Sequence, residues 1–477
     1  MNKKIKIASI ILIIIISILS VSKEFQNDTF YLIKVGETIL TKGIDFKDHF
    51  SFHNLPYQYP HILFSIIVYI FYDLFSLTGL YILTIIFTII LAISMYYINI
   101  KNSKNQIMTT AFTLIFIIAI NGFLTLRAQI VSYIIFIFEY YFLNKLITRN
   151  KIKYIIYIFL LAVLLVNTHV AVYPFYIIIF LPFLGEYILK KITKKETYKI
   201  KHLLISLFLS LTAGLFSPLF LNSYTYLFNT LINTTTNYIT EHQPIILIKD
   251  IRMIICSLLI ILLFTTKKFK LEIKEKLLLL GLTLMAFSSA RHMSLLIIFL
   301  TIILSKYWSN YLLEKEQNQN KKIEKFFTSK RGIITLLIYL LFITIIVIPR
   351  NINKEYINKQ DYPVEATKYI KENIDYKNIR IFNDYNIGSY LILNDIKVFI
   401  DSRSDLYTKS YNKKEDIFQD FINVNSINVY YEDIFDKYSI DYILINNNSS
   451  LSMLLLHDEN YNTIYSDNYF ILYKRNK

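Results

Sequence analysis

Long apolar runs follow one another from the N-terminus to about residue 350, separated by short polar loops. The runs IKIASIILIIIISILSVS (5–22) and LTGLYILTIIFTIILAISMYYI (77–98) are each long enough to cross the hydrocarbon core of a bilayer as a helix. The first run follows MNKKIK, but it has no clear small-x-small cleavage site, so we interpret it as a retained helix and not as a signal peptide. The pattern predicts a polytopic α-helical membrane protein.

Composition and charge fit this prediction. The chain is 54% hydrophobic and carries a formal net charge of +16, which in a soluble protein would suggest a nucleic-acid partner. Here the basic residues gather in alternate loops, at residues 3–6, 101–104, 145–153, 190–201, 267–276 and 306–331. The positive-inside rule then places the N-terminus in the cytoplasm and residues 22–60 outside. The charge therefore indicates membrane lipids as partners and no nucleic acid. The single cysteine, Cys256, excludes an intramolecular disulfide.

The alternation of basic loops also decides how to interpret residues 61–76 (HILFSIIVYIFYDLFS). Counting this segment as a span would invert every later loop, so we expect a helix that lies at the outer surface. The remaining apolar segments predict eleven spans and an external C-terminus, in a multi-pass protein of the cell membrane. The predicted spans lie near residues 5–22, 77–98, 107–121, 129–146, 154–168, 171–189, 203–217, 246–264, 277–289, 292–305 and 332–348.

The composition changes at about residue 351. Beyond it, strand-like runs (IRIFND, KVFIDS, DYILIN, NTIYSD, YFILYK) alternate with helix-like runs (VEATKYIKENI, IFQDFINV), which is typical of a small α/β domain. We therefore predict two domains. A transmembrane domain covers residues 1–350, including the outer loop 22–60 and the interfacial helix 61–76, and an extracytoplasmic α/β domain covers residues 351–477.

The outer loop concentrates candidate chemistry, since Asp28, Asp48 and His53 lie in it beside the first span. Carboxylates and imidazoles kept beside the bilayer usually serve chemistry or a ligand. Asp28 also precedes a helical pattern, TFYLIKVGETIL, so it could act as the N-cap of that helix.

Further polar residues end predicted spans on the same side: Arg127 and Gln129 in NGFLTLRAQ, His169 in LLVNTHVAVYP, and Arg291 with His292 in SSARHMS. This chain strongly prefers lysine, and the guanidinium group binds phosphate bidentately, so the two arginines are candidates for holding an anionic lipid head group. The alternatives are that the arginines only reach the interface and that the histidines only pack.

The segment NDYNIGSYLILNDIKVFIDSRSDLY (383–407) carries Asp401 and Arg403 just after a predicted strand, where α/β sheets gather ligand groups. These residues could bind the acceptor, or they could form an ion pair that docks the C-terminal domain. The D-x-R-x-D cluster compensates its own charge, which favours docking.

A first span, then Asp28 opening a helix, then G-x3-L-x2-G across Gly36, Leu40 and Gly43, and then YQYPHILF resemble membrane glycosyltransferases of the GT-C type. The segments RAQIVSYIIFIFEYY (127–141), NTHVAVYPFYIIIFLPFLGE (167–186) and ARHMSLL (290–296) are similar to a bacterial and archaeal group of such proteins, which resembles the dolichyl- and polyprenyl-phosphate-sugar-dependent glycosyltransferases. Two features depart from the pattern. Thr29 follows Asp28 where many GT-C enzymes have an acidic residue, and the YQYPHILF segment is not rich in tryptophan.

The resemblance implies an enzyme that takes a sugar from a polyprenyl-phosphate carrier and transfers it to an extracytoplasmic acceptor. Asp28 would take the acceptor's proton, and Asp48 is a second catalytic candidate that could orient the acceptor. Positive charge would stabilise the departing phosphate. The residues expected to bind substrate are Arg127, Gln129, His169, Arg291 and His292 for the donor, and His53, Asp401 and Arg403 for the acceptor.

The sequence assigns no metal ligand, because an Asp/His pair is a weak metal pattern, and a divalent cation remains the one cofactor to consider. Two other functions stay open. A transporter or flippase of a lipid-linked glycan would need charges at mid-membrane, and a non-catalytic assembly protein could retain the same fold.

Overall fold

The computed structural model of the chain describes residues 3–103, 106–231, 235, 238–315 and 354–476. In chain order its helices are α1 (Lys3–Ser20), α2 (Asn27–Lys42), α3 (Ile62–Ser103), α4 (Gln106–Ala119), α5 (Gln129–Arg149), α6 (Ile152–Thr168), α7 (Tyr173–Ile178), α8 (Phe180–Ile192), α9 (Lys201–Thr212), α10 (Asn222–Leu231), α11 (Ile251–Thr265), α12 (Ile273–Ser288), α13 (Met293–Lys315), α14 (Val364–Asn373), α15 (Gly388–Leu393), α16 (Lys409–Asn412), α17 (Ile417–Asn425), α18 (Tyr431–Tyr438) and α19 (Ser450–Leu455). The strands are β1 (Ile381–Asn383), β2 (Tyr442–Asn446), β3 (Tyr461–Ser466) and β4 (Phe470–Arg475).

The chain forms two compact units. The helical unit comprises residues 1–23, 81–218 and 237–354, and the mixed unit comprises residues 24–80, 219–236 and 355–477. The sequence division assigned the outer loop to the transmembrane domain, whereas the structure groups it with the C-terminal segment. The predicted boundary at residues 350 and 351 and the predicted span 332–348 lie outside the described residues.

Helix α6 illustrates why the helices of the helical unit suit a bilayer. Ile155, Ile158 and Leu165 are buried, whereas Ile156 and Leu160 on the other face are 51% and 55% exposed. A helix that is apolar on all sides can pack one face against other helices and expose the opposite face to lipid. Helices α5 and α9 pack against α6. Elsewhere in the helical unit, α13 packs against α4 and α12.

Four helical segments in the described part of the chain are long and apolar enough to cross a membrane: Ile62–Ser103, Gln129–Arg149, Val170–Ile192 and Ala290–Ser309. Four shorter apolar helices accompany them, at Gln106–Ala119, Ile152–Thr168, Lys201–Phe216 and Ile251–Thr265. The predicted apolar segments up to residue 305 all fall on helices. The number of membrane crossings and the orientation of the termini stay predictions.

Helix α3 consists of two pieces, because the backbone leaves helical geometry at Ser76 (φ 52°, ψ −145°). The first piece belongs to the mixed unit and packs against α2 at Gly36. A Cβ at Gly36 would lie 2.1 Å from the carbonyl oxygen of Ser65, so only glycine permits this close approach. The break occurs at the residue where the sequence analysis ended the interfacial helix.

The C-terminal segment forms the predicted α/β structure around a four-stranded sheet of order β1-β2-β4-β3. Strand β1 pairs with β2 in parallel, with Phe382 opposite Ile443, and β4 pairs antiparallel with both β2 and β3. Helices α14 and α17 lie where the helix-like runs were predicted.

One predicted strand, KVFIDS (397–402), is not a strand. Val398 makes only single bridges, to Ile381 of β1 and to Ser51. The side chain of Asn383 takes the place of a backbone ladder, since its Oδ1 accepts from Phe399 N at 2.9 Å and its Nδ2 donates to Ile400 O at 2.8 Å. Strand propensity was therefore overridden by a side-chain contact from β1.

Candidate functional site

Asp28 lies in the first turn of α2. The helix begins at Asn27 with Gln26 as its N-cap, so the capping alternative for Asp28 is wrong. Asp28 is half-buried and lies at the positive end of the helix dipole.

Tyr385 is the neighbour that connects Asp28 to the C-terminal segment. Asn27 Nδ2 donates to the carbonyl oxygen of Tyr385 at 3.1 Å, and the Tyr385 hydroxyl donates to Ser402 O at 3.1 Å. Burial, and then the nearby charge of Asp28, raise the pKa of Tyr385 well above its ordinary value. Tyr385 is therefore a neutral phenol beside the Asp28 carboxylate.

Arg403 links the outer loop to the C-terminal segment within the mixed unit. Its Nη1 donates to Asp48 Oδ1 at 2.8 Å, and its Nε and Nη2 donate to Asp401 Oδ1 and Oδ2 at 2.8 and 2.7 Å. Its guanidinium carbon lies 5.0 Å from the centroid of the Phe50 ring and 4.9 Å from the centroid of the Tyr57 ring. Arg403 thus makes a bidentate ion pair with Asp401 and a second ion pair with Asp48, all within the mixed unit. Docking on the transmembrane domain and acceptor binding both stay predictions.

The two carboxylates of this cluster are enclosed, since the side chains of Asp48 and Asp401 are both 0% exposed. Burial acts to raise the pKa of Asp48, but the charge of Arg403 and hydrogen bonds from Ser51 and Phe50 N outweigh it, so the pKa lies below its ordinary value. Asp401 also accepts from the Tyr407 hydroxyl. We refer to Asp48, Asp401 and Arg403 as the buried ion cluster.

His53 packs beside this cluster. Its Nε2 lies 2.9 Å from Phe399 O, and a carbonyl can only accept, so Nε2 carries the proton. Its ring contacts the rings of Phe399 and Tyr438 at 5.2 and 5.3 Å. Burial lowers the pKa of His53 to about 4, so the imidazole is neutral at physiological pH.

In the helical unit, Arg127 and Arg291 are both held by one loop. Arg127 Nη1 donates to both carboxylate oxygens of Glu241, at 2.7 and 3.0 Å. Arg291 Nη1 lies 2.9 Å from Nε2 of His242. An arginine can only donate, so Nε2 of His242 accepts and the ring is neutral. Burial and then the Arg291 charge lower the pKa of His242 to about 4.

Gln129 completes this arrangement. With its amide oxygen turned toward Arg291, Gln129 accepts from Nε at 3.2 Å and from Nη2 at 3.3 Å. Within the described residues, no carboxylate pairs with Arg291. Arg291 therefore keeps a positive charge that only neutral acceptors contact.

The two remaining histidines make packing contacts. His169 is buried, and its Nδ1 lies 2.9 Å from the Ser132 hydroxyl. His292 donates from Nδ1 to Met285 O at 2.9 Å and contacts the ring of Phe175 at 4.9 Å. Nδ1 of His292 is committed to the protein, which leaves Nε2 as the ring nitrogen with which His292 could contact a substrate.

Solved structures show the same architecture. The apo crystal structure of the oligosaccharyltransferase from Archaeoglobus fulgidus matches with a TM-score of 0.63 at 12% identity, over 93% of this chain and 70% of that chain. ArnT from Cupriavidus metallidurans, crystallised with undecaprenyl phosphate, matches with a TM-score of 0.57 at 9% identity, over 98% of this chain and 97% of that chain. The fold is that of the GT-C glycosyltransferases. No protein-family model and no curated protein sequence matches the chain.

The GT-C resemblance deduced from short motifs is thus confirmed at the level of fold. Three residues with roles in the geometry were absent from the sequence-based selection: Tyr385 beside Asp28, and Glu241 and His242 on the two arginines. The signal for Glu241 and His242 was their position in a predicted outer loop, on the same side as both arginines.

The residues of this chain do not by themselves indicate a metal site. A third structure of the Archaeoglobus oligosaccharyltransferase, in complex with Zn and sulfate, matches with a TM-score of 0.56 at 11% identity, over 97% of this chain and 73% of that chain. In the described parts of the present chain, no group of three or more His, Cys, Asp or Glu side chains is arranged to hold a metal ion. We therefore derive no catalytic step through a cation.

Proposed function

We propose that the chain is a membrane glycosyltransferase that moves a sugar from a polyprenyl-phosphate carrier to an acceptor outside the cytoplasm. The observation that carries this proposal is the GT-C fold, matched over 98% of this chain and 97% of a protein crystallised with undecaprenyl phosphate. The two arginines at outer turns support it, because guanidinium groups suit a lipid phosphate. The lysine distribution supports a cytoplasmic N-terminus and an extracytoplasmic C-terminal segment.

The proposed reaction forms one bond and breaks one. An acceptor hydroxyl oxygen attacks the anomeric carbon, the bond from that carbon to the phosphate oxygen breaks, and the phosphate leaves with the electron pair. The carrier thereby changes from a phosphodiester to a phosphate monoester. The Asp28 carboxylate takes the hydroxyl proton as the new bond forms.

The donor's phosphate is assigned to Arg291 and Arg127, since positive charge stabilises the charge that develops on the leaving group. Gln129 orients the Arg291 guanidinium. His169 and His292 are the histidines assigned to add a hydrogen bond to that phosphate.

The buried ion cluster has a structural role in this proposal. Asp48, Asp401 and Arg403 satisfy one another and are enclosed, so they position the outer loop rather than contact substrate. Asp48 is then a positioning residue, and Asp28 is the single catalytic carboxylate.

The test is the variant Asp28→Asn in cells, with the surface glycans and glycolipids profiled by mass spectrometry. Asp28→Asn should give the profile of a deletion strain at wild-type protein level. Asp73→Asn is the matched control, because Asp73 lies in the same unit and is exposed. A wild-type glycan profile in a normally expressed Asp28→Asn strain would refute the assignment.

One observation favours the transporter alternative. Glu139 lies midway along α5 and is 0% exposed, and neither of its carboxylate oxygens has a hydrogen-bond partner among the described residues. Ionisable residues inside a membrane often mark transport pathways. If the chain is a transporter, Glu139→Gln abolishes the surface glycan and Asp28→Asn leaves it intact. The transferase proposal expects the reverse.

A further inference from the structure

Residues Thr240–Ile245 form a strap across the outer turn that carries Arg291. Ala290 N donates to Gln243 O at 3.0 Å, Ile245 N donates to Phe287 O at 3.2 Å, and the Ser289 hydroxyl donates to Glu241 O at 3.2 Å. These backbone contacts hold the side chains of Glu241 and His242 on the two arginines.

The two arginines differ in the charge of the side chains that they contact. Arg127 is paired with a carboxylate, whereas Arg291 contacts the neutral His242 and the neutral amide of Gln129. Two guanidinium charges and the one Glu241 carboxylate leave a single net positive charge in the group formed by Arg127, Gln129, Arg291, Glu241 and His242. Without Glu241 the net charge would be twice as large.

The Glu241 carboxylate occupies the position on Arg127 that a phosphate oxygen would take, because carboxylate and phosphate bind the same guanidinium donors. Its side chain is 45% exposed and that of Arg127 is 21% exposed. A partly exposed ion pair of this kind contributes little stability, so an anionic ligand can compete with it.

The proposed reaction changes the charge of the lipid phosphate. The donor is a phosphodiester with one negative charge, and the released carrier is a monoester whose second pKa is about 6, so it is mostly a dianion at neutral pH. Repulsion from the Glu241 carboxylate scales with ligand charge, so it acts about twice as strongly on the released carrier as on the donor.

We infer that Glu241 is a specificity-determining residue, which weakens the preference of this anion site for the phosphate monoester lipid over the phosphodiester lipid. The inference rests on the proposed function and deepens it, because it assigns to the strap a role in releasing the product. The arginine charges attract the dianionic monoester more strongly than the monoanionic diester, and the Glu241 carboxylate offsets part of that difference.

The test uses the full chain in lipid nanodiscs with two probes, undecaprenyl phosphate and its methyl diester. Glu241→Gln should bind the monoester about fivefold more tightly and the diester only about twofold more tightly, if the repulsion of an exposed carboxylate is about 0.5 kcal/mol per ligand charge. Glu241→Asp keeps the charge and should retain the wild-type ratio of the two affinities.

Glu196→Gln is the matched control, since Glu196 is exposed in the loop before α9 and the substitution changes net charge equally. Equal tightening of both lipids by Glu241→Gln, or an identical shift in Glu196→Gln, overturns the inference and leaves the proposed function standing. A wild-type protein that binds neither lipid, with Arg291→Gln indistinguishable from it, overturns the proposed donor and the inference together.

Discussion

Replacing Arg403 by glutamine should destabilise the mixed unit strongly. Arg403 is the only cation among the three residues of the buried ion cluster, and its removal leaves Asp48 and Asp401 facing each other with side chains that are 0% exposed. Breaking a buried ion pair from one side costs about 3–5 kcal/mol, because the remaining charge loses its partner without regaining water. Two stranded carboxylates place Arg403→Gln at the upper end of this range.

Replacing Asp48 by asparagine should be milder. The cluster carries one positive and two negative charges, so Asp48→Asn leaves the neutral pair of Arg403 and Asp401 intact. The single amide oxygen can replace only one of the two carboxylate oxygens, since Oδ1 of Asp48 accepts from Phe50 N at 3.2 Å and Oδ2 accepts from Ser51 N at 3.0 Å. We expect a loss of about 1.5–3 kcal/mol, the value of one hydrogen bond to a charged group.

The assay is hydrogen–deuterium exchange of the full chain in nanodiscs during a temperature series, followed at the amides of β2 and β4. For a unit of this size each kcal/mol corresponds to about 2–4 °C, so a loss of about 5 kcal/mol in Arg403→Gln should lower the protection midpoint by roughly 10–20 °C. Arg403→Lys keeps the charge but loses the planar fork, and should fall between the wild type and Arg403→Gln.

The reasoning is refuted if Asp48→Asn lowers the midpoint as much as Arg403→Gln does. The same variants separate structure from chemistry. If Asp48→Asn retains most of its protection and still makes the surface glycan, Asp48 positions the loop. A folded Asp48→Asn protein without glycan would restore Asp48 as a catalytic residue.

Two further predictions concern the mixed unit. Burial lowers the pKa of His53 from 6.5 to about 4, so between these pH values the unfolded chain binds a proton that the folded chain does not, and stability falls as the pH drops. Burial raises the pKa of Asp384 from 3.8 to about 6, so over nearly the same range this residue increases stability as the pH drops. In thermal melts between pH 4 and 6, the free energy of unfolding should therefore be nearly constant for wild type. With rising pH it should fall for His53→Gln and rise for Asp384→Asn, each by up to ~3 kcal/mol. Equal slopes in both variants would contradict this. Gly36→Ala places a methyl group 2.1 Å from Ser65 O and should cost at least about 1–3 kcal/mol of folding stability. The control Gly281→Ala, a helical position with no atom within 4 Å of the added methyl group, should be neutral or stabilising by up to about 1 kcal/mol. Protease resistance of both variants in nanodiscs measures the difference.

The local pattern of apolar and polar residues was sufficient to predict most helices and strands of this fold. Apolar runs of helical length predicted the helices, and the alternating C-terminal runs predicted β1 to β4, because burial periodicity is written in neighbouring residues. The segment KVFIDS has the same strand-like pattern, but its outcome depended on Asn383, which lies outside the segment.

Only the tertiary structure decided which polar residues meet. Arg403 and Asp48 are 355 positions apart, and Arg127 and Glu241 are 114 apart, so no local periodicity relates them. The sequence by itself determined the helical membrane character, the small α/β segment and the resemblance to the GT-C fold. Tertiary packing decided that Asp48 is neutralised by Arg403 and that Glu241 pairs with Arg127. The physical reason is that an ion pair depends on distances of a few ångströms in space, and these are fixed only when remote segments pack together.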